Sequence, residues 1–465
     1  MSSKFLAKVS LVLMLFYLFP NTAYSNVSLP AIFGKHMVMQ QNSEVKLWGW
    51  GKPMEKIRVT TSWDNDTLNT VTTNNAKWSV MLKTPEAGGP YSIKIEGYNS
   101  VVIDDILMGE VWLLSGQSNM EWKTSFGINN IGEEVENADN NEIRFFSVTL
   151  KTSPTKCIDV SGQWMKCTPE SMNDFSAIGY FFGKELNKEL KIPVGLISSN
   201  WGGTPIETWV PEQEILASNE LTESAQKVPY FPWAPNMPGC VYNAMIAPIM
   251  PFPMKGVLWY QGEANVDNSA TYTKTLETLV RSWRKGFKTD LAFYYAQIAP
   301  FTHYAKDAGV KVREAQRRAL ESIPNSGMVV MSDIGDTLDI HPRNKIDAGK
   351  RFAHLALNKT YKLSDFPASG PLFKTFLIKG SEVEVIFDCA EGLHCEKADL
   401  PYFELAGEDG IWFSAQAFIK NDKVLVRSEE VRNPVNVRFA WANSATPKLF
   451  NKDNLPASCF TTIDF

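Results

Sequence analysis

Hydrophobic positions change their spacing twice along the chain. From 27 to about 104 they recur every second residue or cluster as β-branched and aromatic runs, at 37–40, 45–50, 57–61 and 78–82. Gly, Asn, Asp and Pro separate these runs. Short strands joined by turns at such intervals predict a small β-sandwich. From about 105 a helical period appears. Ile178, Phe181, Phe182, Leu186 and Leu190 share one face of a helix over 177–190. Tyr272, Leu276, Leu279, Val280 and Trp283 share another, and 310–322 and 346–357 read as two more. Apolar runs at 111–114, 194–197, 291–298 and 328–331 lie between them. Apolar strands alternating with amphipathic helices predict an α/β fold with a mostly parallel sheet covered on both faces. Such a sheet holds ligands at the carboxyl ends of its strands.

Residues 211–255 break that rhythm. Tyr230, Phe231, Pro232, Trp233, Pro235 and Pro238 predict a long ordered loop, and such loops in compact domains are often functional. From 366 to 465 the pattern returns to β, with runs at 382–387, 423–427 and 435–441. The expected organisation is therefore 1–25 as a leader, 26–104 as an N-terminal β-sandwich-like domain, 105–365 as the α/β domain with 211–255 inserted, and 366–465 as a C-terminal β-rich region.

The leader rests on Lys4 and Lys8 ahead of an apolar run over 9–19, then Pro20, with Ala23 and Ser25 at the positions a signal peptidase reads. Cleavage after Ser25 is expected. It would leave a secreted or periplasmic protein with no membrane attachment; an uncleaved anchor is the alternative. The net charge is -5 with no basic tract, which argues against nucleic acid as a partner. The 14 Trp suit flat sugar rings, though they equally suit β-rich cores. Five His with no HExxH and no CxxC argue against a metal site, and no cofactor is implied. Six Cys permit disulfides; Cys157–Cys167 and Cys389–Cys395 close the shortest loops.

Four polar segments follow apolar strands. They are Gly116-Gln117-Ser118-Asn119-Met120, the stretch from Asn200 to Trp209, Trp259-Tyr260-Gln261-Gly262-Glu263-Ala264-Asn265, and the stretch from Asp333 to Pro342. In an open parallel sheet their strand-end placement brings all four to one rim. Gly116 allows a bend, and Ser118 then sits where a helix begins. Its hydroxyl projects from the sheet's end, although a helix cap is the alternative use of such a serine. Ester cleavage needs a base for that hydroxyl; an imidazole is suited because its ordinary pKa lies near working pH, and His341 supplies one. Asp339 is the nearest carboxylate that can orient the ring. The oxyanion needs preorganised donors. Ser118 N–H, a Gly202 or Gly203 N–H, and a Gln261 or Asn265 side-chain amide can provide them. Asp333 and Asp336 read as turn or helix caps, and Trp201 and Trp209 as core.

Taken together, Gly116 to Met120, Trp201 to Trp209, Trp259 to Asn265 and Asp336 to Lys345 resemble the sialate O-acetylesterase family of SGNH hydrolases. Val38-Met39-Gln40 with Leu47-Trp48-Gly49-Trp50 is similar to the family's N-terminal β region. Phe439-Ala440-Trp441-Ala442, Leu449-Phe450-Asn451 and Leu455-Pro456 are similar to its C-terminal end. The resemblance implies an SGNH-hydrolase-like fold and a serine esterase acting on an O-acetylated glycan or sialic acid. By position it places Ser118 as nucleophile, His341 as base and Gly202 in the oxyanion hole. Two departures stand out. Aligning on Gly262 puts Ala264 where the superfamily commonly has an asparagine donor, so that donor is Gln261, or Asn265 in an offset loop. The superfamily's usual acid position, three before the histidine, is Leu338; Asp339 is two before. A different carboxylate, or a Ser–His dyad steadied by a backbone carbonyl, therefore stays open. An acetylxylan or other glycan acetylesterase is the alternative substrate reading. A non-catalytic carbohydrate-binding protein is the alternative of a different class.

Overall fold

The computed structural model describes residues 26–64, 66–395 and 400–464. The expected leader, 1–25, lies outside them. The chain forms two compact units. The first contains Lys46–Met81 and Ser92–Ile103; the second contains Ala31–Val45, Leu82–Tyr91 and Asp104–Phe465. Within the first, Lys56–Thr61 pairs antiparallel with Thr67–Val71 on one side and with the chain around Ile93 to Glu96 on the other. Alternate residues Ile57, Val59, Ile93 and Ile95 point into its core with Leu47 and Trp78. The strand Thr67–Val71 escaped the sequence reading because its Thr and Asn leave only two apolar side chains, both partly or fully exposed.

The second unit is built on a seven-stranded run of sheet. Its strands are β1 (Ser100–Gly116, from Asp104 on in this unit), β2 (Asn140–Ser147), β3 (Trp164–Cys167), β4 (Val194–Asn200), β5 (Gly256–Tyr260), β6 (Ala292–Gln297) and β7 (Ser326–Val330). The order is β7-β6-β5-β1-β4-β2-β3. Every pairing is parallel except that of β2 with β3 at the edge. The fold is thus mixed α/β around a mostly parallel sheet, as the pattern predicts, with further β-rich regions.

Five helices matter for the site: α1 (Ser118–Glu121), α2 (Ala177–Leu190), α3 (Tyr272–Phe287), α4 (Ala308–Ser322) and α5 (Lys345–Lys359). Alternation along the strands assigns them to faces. Trp112 and Tyr294 stack on one face, and Phe182 of α2 meets Trp112 edge-on at 5.1 Å. Gly327 admits Leu355 of α5 to that face, since a Cβ there would come within 2.9 Å of Leu355. On the other face Trp259 and Phe293 pack against Trp283 of α3, and Tyr295 donates its hydroxyl hydrogen to the Gln316 carbonyl of α4. A sheet buried on both sides explains why its strands read as unbroken apolar runs.

The segment 211–255 differs from the expected loop. It contains helices Glu212–Leu216, Asn219–Ala225, Tyr242–Ile246 and Ala247–Ile249, while its Pro- and aromatic-rich middle and its last residues lack them. The helices are too short for a periodic signal to show. Toward the C-terminus, Leu372–Lys379, Glu382–Asp388, Lys423–Arg427 and Gln416–Lys420 form one antiparallel sheet. Trp412–Ser414, Phe403–Ala406, Asn436–Phe439 and Phe460–Thr461 form another. The two share a core of Val383, Val385, Val424, Leu405, Val437 and Phe460, which takes in Val310 of α4. Cys157, Cys167, Cys240, Cys389 and Cys459 are free thiols, so neither short disulfide loop is closed.

Candidate active site

Three adjacent strands end in register. Gly116 of β1 stands opposite Asn200 of β4 and Tyr260 of β5. Only glycine fits at 116: its φ is +129°, and a Cβ would sit 2.1 Å from the Tyr260 carbonyl oxygen. The chain then turns. Gln117 N–H donates to the Tyr260 carbonyl at 2.9 Å, and Gln117 Oε1 accepts from Ala264 N–H at 3.2 Å. Gln117 is the capping position of α1, so Ser118 is the first helical residue and its hydroxyl is not spent as a cap. It goes instead to His341, whose Nε2 lies 2.8 Å from Ser118 Oγ. The two residues are 223 positions apart in the chain.

The histidine is held from several directions. Trp122 stacks on its ring at 4.7 Å with an interplanar angle of 25°. Asn119, next to the serine, donates to the Ile340 carbonyl at 3.0 Å, tying the two loops together. The same amide donates to Glu263 Oε1 and accepts from Lys345 Nζ, both at 2.6 Å. Lys345 opens α5 and is fully buried; desolvation brings its ammonium down to about 7. Burial also holds the Glu263 carboxyl above its usual range. His341 is pushed below its ordinary value, first by burial and then by the Lys345 charge, with Asp339 opposing. A neutral imidazole with a free Nε2 lone pair can take the serine proton.

Asp339 does not form a hydrogen bond with the ring. Its Oδ1 is 3.8 Å from His341 Nδ1 and accepts the His341 backbone N–H at 2.9 Å. That distance exceeds hydrogen-bond reach, so the carboxylate acts on the imidazole only through space. Asp336 caps the same turn, accepting from Leu338 and Asp339 N–H, and Asp333 pairs with Arg351.

On the other side lies the turn after β4. Trp201 N–H donates to the Gly116 carbonyl, which draws Gly202 toward the serine. A Cβ on Gly202 would lie 3.3 Å from Ser118 Cβ. Gly203 has a φ of +76° and backs onto Trp233, which is 66% exposed and stacked on Phe231. Gly202 N–H donates to Glu121 Oε2 at 2.6 Å. Burial raises this carboxyl, with the Gly202 bond and the Lys123 charge working the other way.

Gln261 and Asn265 are brought near this turn, but as framework. Gln261 Nε2 donates to the Thr204 carbonyl and to Asn265 Oδ1; Asn265 Nδ2 donates to both oxygens of buried Glu207. Both side-chain amides are thus engaged within the protein, where an expected oxyanion donor would have a free N–H. Asn119, Glu121 and Lys345 carry no expected role in the sequence pattern. Asn119, Glu263 and Lys345 lie inside the motifs that carry the resemblance; nothing in the pattern marks Glu121.

A family model described as carbohydrate esterase, sialic acid-specific acetylesterase, matches residues 108–358, more than half of the chain. The chain belongs to this family. The sialate O-acetylesterase of Homo sapiens is 29% identical over 410 residues, 80% of this chain and 78% of that protein. Its Mus musculus counterpart is 27% identical over 474 residues, 87% of this chain and 88% of that protein. A crystal structure of a carbohydrate acetylesterase from Xanthomonas citri superposes with a TM-score of 0.87 at 32% identity, covering 94% of this chain and 100% of the other. This carbohydrate esterase is a carboxylic ester hydrolase, which sets aside the non-catalytic binding protein.

Proposed function

We propose that the protein is an exported serine esterase of SGNH-hydrolase-like fold that removes O-acetyl groups from carbohydrates, sialic acids first among them. The observation that carries the reading is the 2.8 Å contact between Ser118 Oγ and His341 Nε2 at the carboxyl end of the sheet. Ser118 Oγ attacks the acetyl carbonyl carbon as its proton passes to His341 Nε2. The tetrahedral intermediate expels the sugar oxygen, which takes that proton, and leaves an acetyl-serine. A water deprotonated by His341 then releases acetate. Backbone N–H groups of Ser118, Gly202 and Gly203 are the donors for the oxyanion. Asp339 stabilises the imidazolium from a distance, so the machinery is a Ser–His dyad with a remote carboxylate. Export rests on the leader-like residues 1–25.

Replacing Ser118 with Ala should abolish hydrolysis of an aryl acetate while leaving the melting curve unchanged; sustained turnover would remove the serine from the chemistry. A second substrate class is favoured by the Xanthomonas citri structure, described as a carbohydrate acetylesterase without restriction to sialic acid. Acetate release from O-acetylated sialic acid against acetylated xylan decides between them. A tenfold preference corresponds to about 1.4 kcal/mol of transition-state discrimination.

A further inference from the structure

The Glu121 carboxylate lies between the nucleophile's helix and the β4 turn. It is three residues beyond Ser118 on the same short helix, and its Oε2 accepts the Gly202 N–H at 2.6 Å. Space measured from Gly202 confirms that the groups converge. A Cβ built there would lie 3.1 Å from Glu121 Oε2 and 3.3 Å from Ser118 Cβ. A carboxylate oxygen therefore stands beside the nucleophile, on a backbone donor that the proposed mechanism reserves for an oxyanion.

We propose that Glu121 is a specificity-determining residue that guards this donor against anions, above all against the acetate that each turnover releases. The inference rests on the reading of Ser118 and Gly202 given above. Donors arranged to hold an oxyanion also suit a free carboxylate, so an unguarded pocket of this kind traps its own product. The internal carboxylate already satisfies the Gly202 N–H and repels a second negative charge at short range. A neutral ester arrives without that repulsion. Its carbonyl oxygen gains charge only as the serine attacks, and the Glu121 side chain must swing off the N–H at that stage. The residue thus selects neutral acyl groups over charged ones, at the acyl end of the site and independently of which sugar is attached.

The test compares acetate with acetamide, two inhibitors of nearly the same shape that differ in charge, in the hydrolysis of 4-nitrophenyl acetate. In the wild type acetate should inhibit no better than acetamide. In Glu121→Gln the charge is lost while an acceptor for Gly202 remains, and acetate should gain at least tenfold over acetamide. Glu121→Asp keeps the charge and should stay within threefold of the wild-type ratio, which separates charge from packing. An unchanged ratio in Glu121→Gln, or equal gains in both variants, would overturn the proposal. If Ser118→Ala retains turnover, the underlying assignment has failed instead, so the two failures are told apart.

Discussion

Replacing Asp339 with Asn distinguishes a remote carboxylate from a hydrogen-bonded triad. Its Oδ1 lies 3.8 Å from His341 Nδ1, and its side chain is 36% exposed. At an effective dielectric between about 40 and 80, suited to a site open to water, a unit charge at that distance stabilises an imidazolium by about 1 to 2 kcal/mol. The expected loss in kcat/KM is therefore roughly five- to thirty-fold. The substitution keeps Oδ1, so the bond from the His341 backbone N–H can persist and the turn should hold. A triad aspartate that directly accepts the Nδ1 hydrogen costs on the order of 10⁴ when converted to Asn. His341→Ala removes the base itself and should cost on the order of 10³ or more. Initial rates on an aryl acetate, with active-site titration to fix enzyme concentration, measure both variants. A loss for Asp339→Asn comparable to that for His341→Ala would refute the remote role and mean that the loop closes onto the ring during catalysis.

Other outcomes follow from the same geometry. Lys345→Met removes a positive charge that lowers the His341 pKa. The base must be neutral to act, so kcat/KM rises with pH through that pKa. The wild-type acid limb should lie below 6.5, and the variant's should move upward; an unmoved limb would detach the lysine from the base. Trp233→Ala should raise KM for glycan substrates about three- to tenfold with little change in kcat, as loss of an exposed stacking surface does. Equal kinetics on every glycan would remove Trp233 from the pocket mouth. Gly116→Ala forces a Cβ against the Tyr260 carbonyl at a φ of +129° and should destabilise by more than about 4 kcal/mol, read as loss of folded protein or a large fall in Tm.

Much of the scaffold was legible in one dimension because buried parallel strands and amphipathic helices must advertise their faces. The helix over 177–190 follows from its period, and β4, β6 and β7 from unbroken apolar runs. Ser118 and His341 were legible because each is a reactive group at the end of such an element. The sequence by itself could not decide distances across the rim. Whether Asp339 bonds to the imidazole depends on how the 336–341 turn folds back, and its oxygen was captured by the nearer His341 backbone N–H. Gln261 and Asn265 looked like free amides, yet buried polar groups must find partners, and Thr204 and Glu207 supply them in the folded chain. Glu121 carried no signal because a lone acidic residue at the end of a short helix is ordinarily solvated. Only the packing of the β4 turn against α1 put a backbone N–H within its reach, since that contact joins positions 81 residues apart through three-dimensional proximity rather than any local pattern.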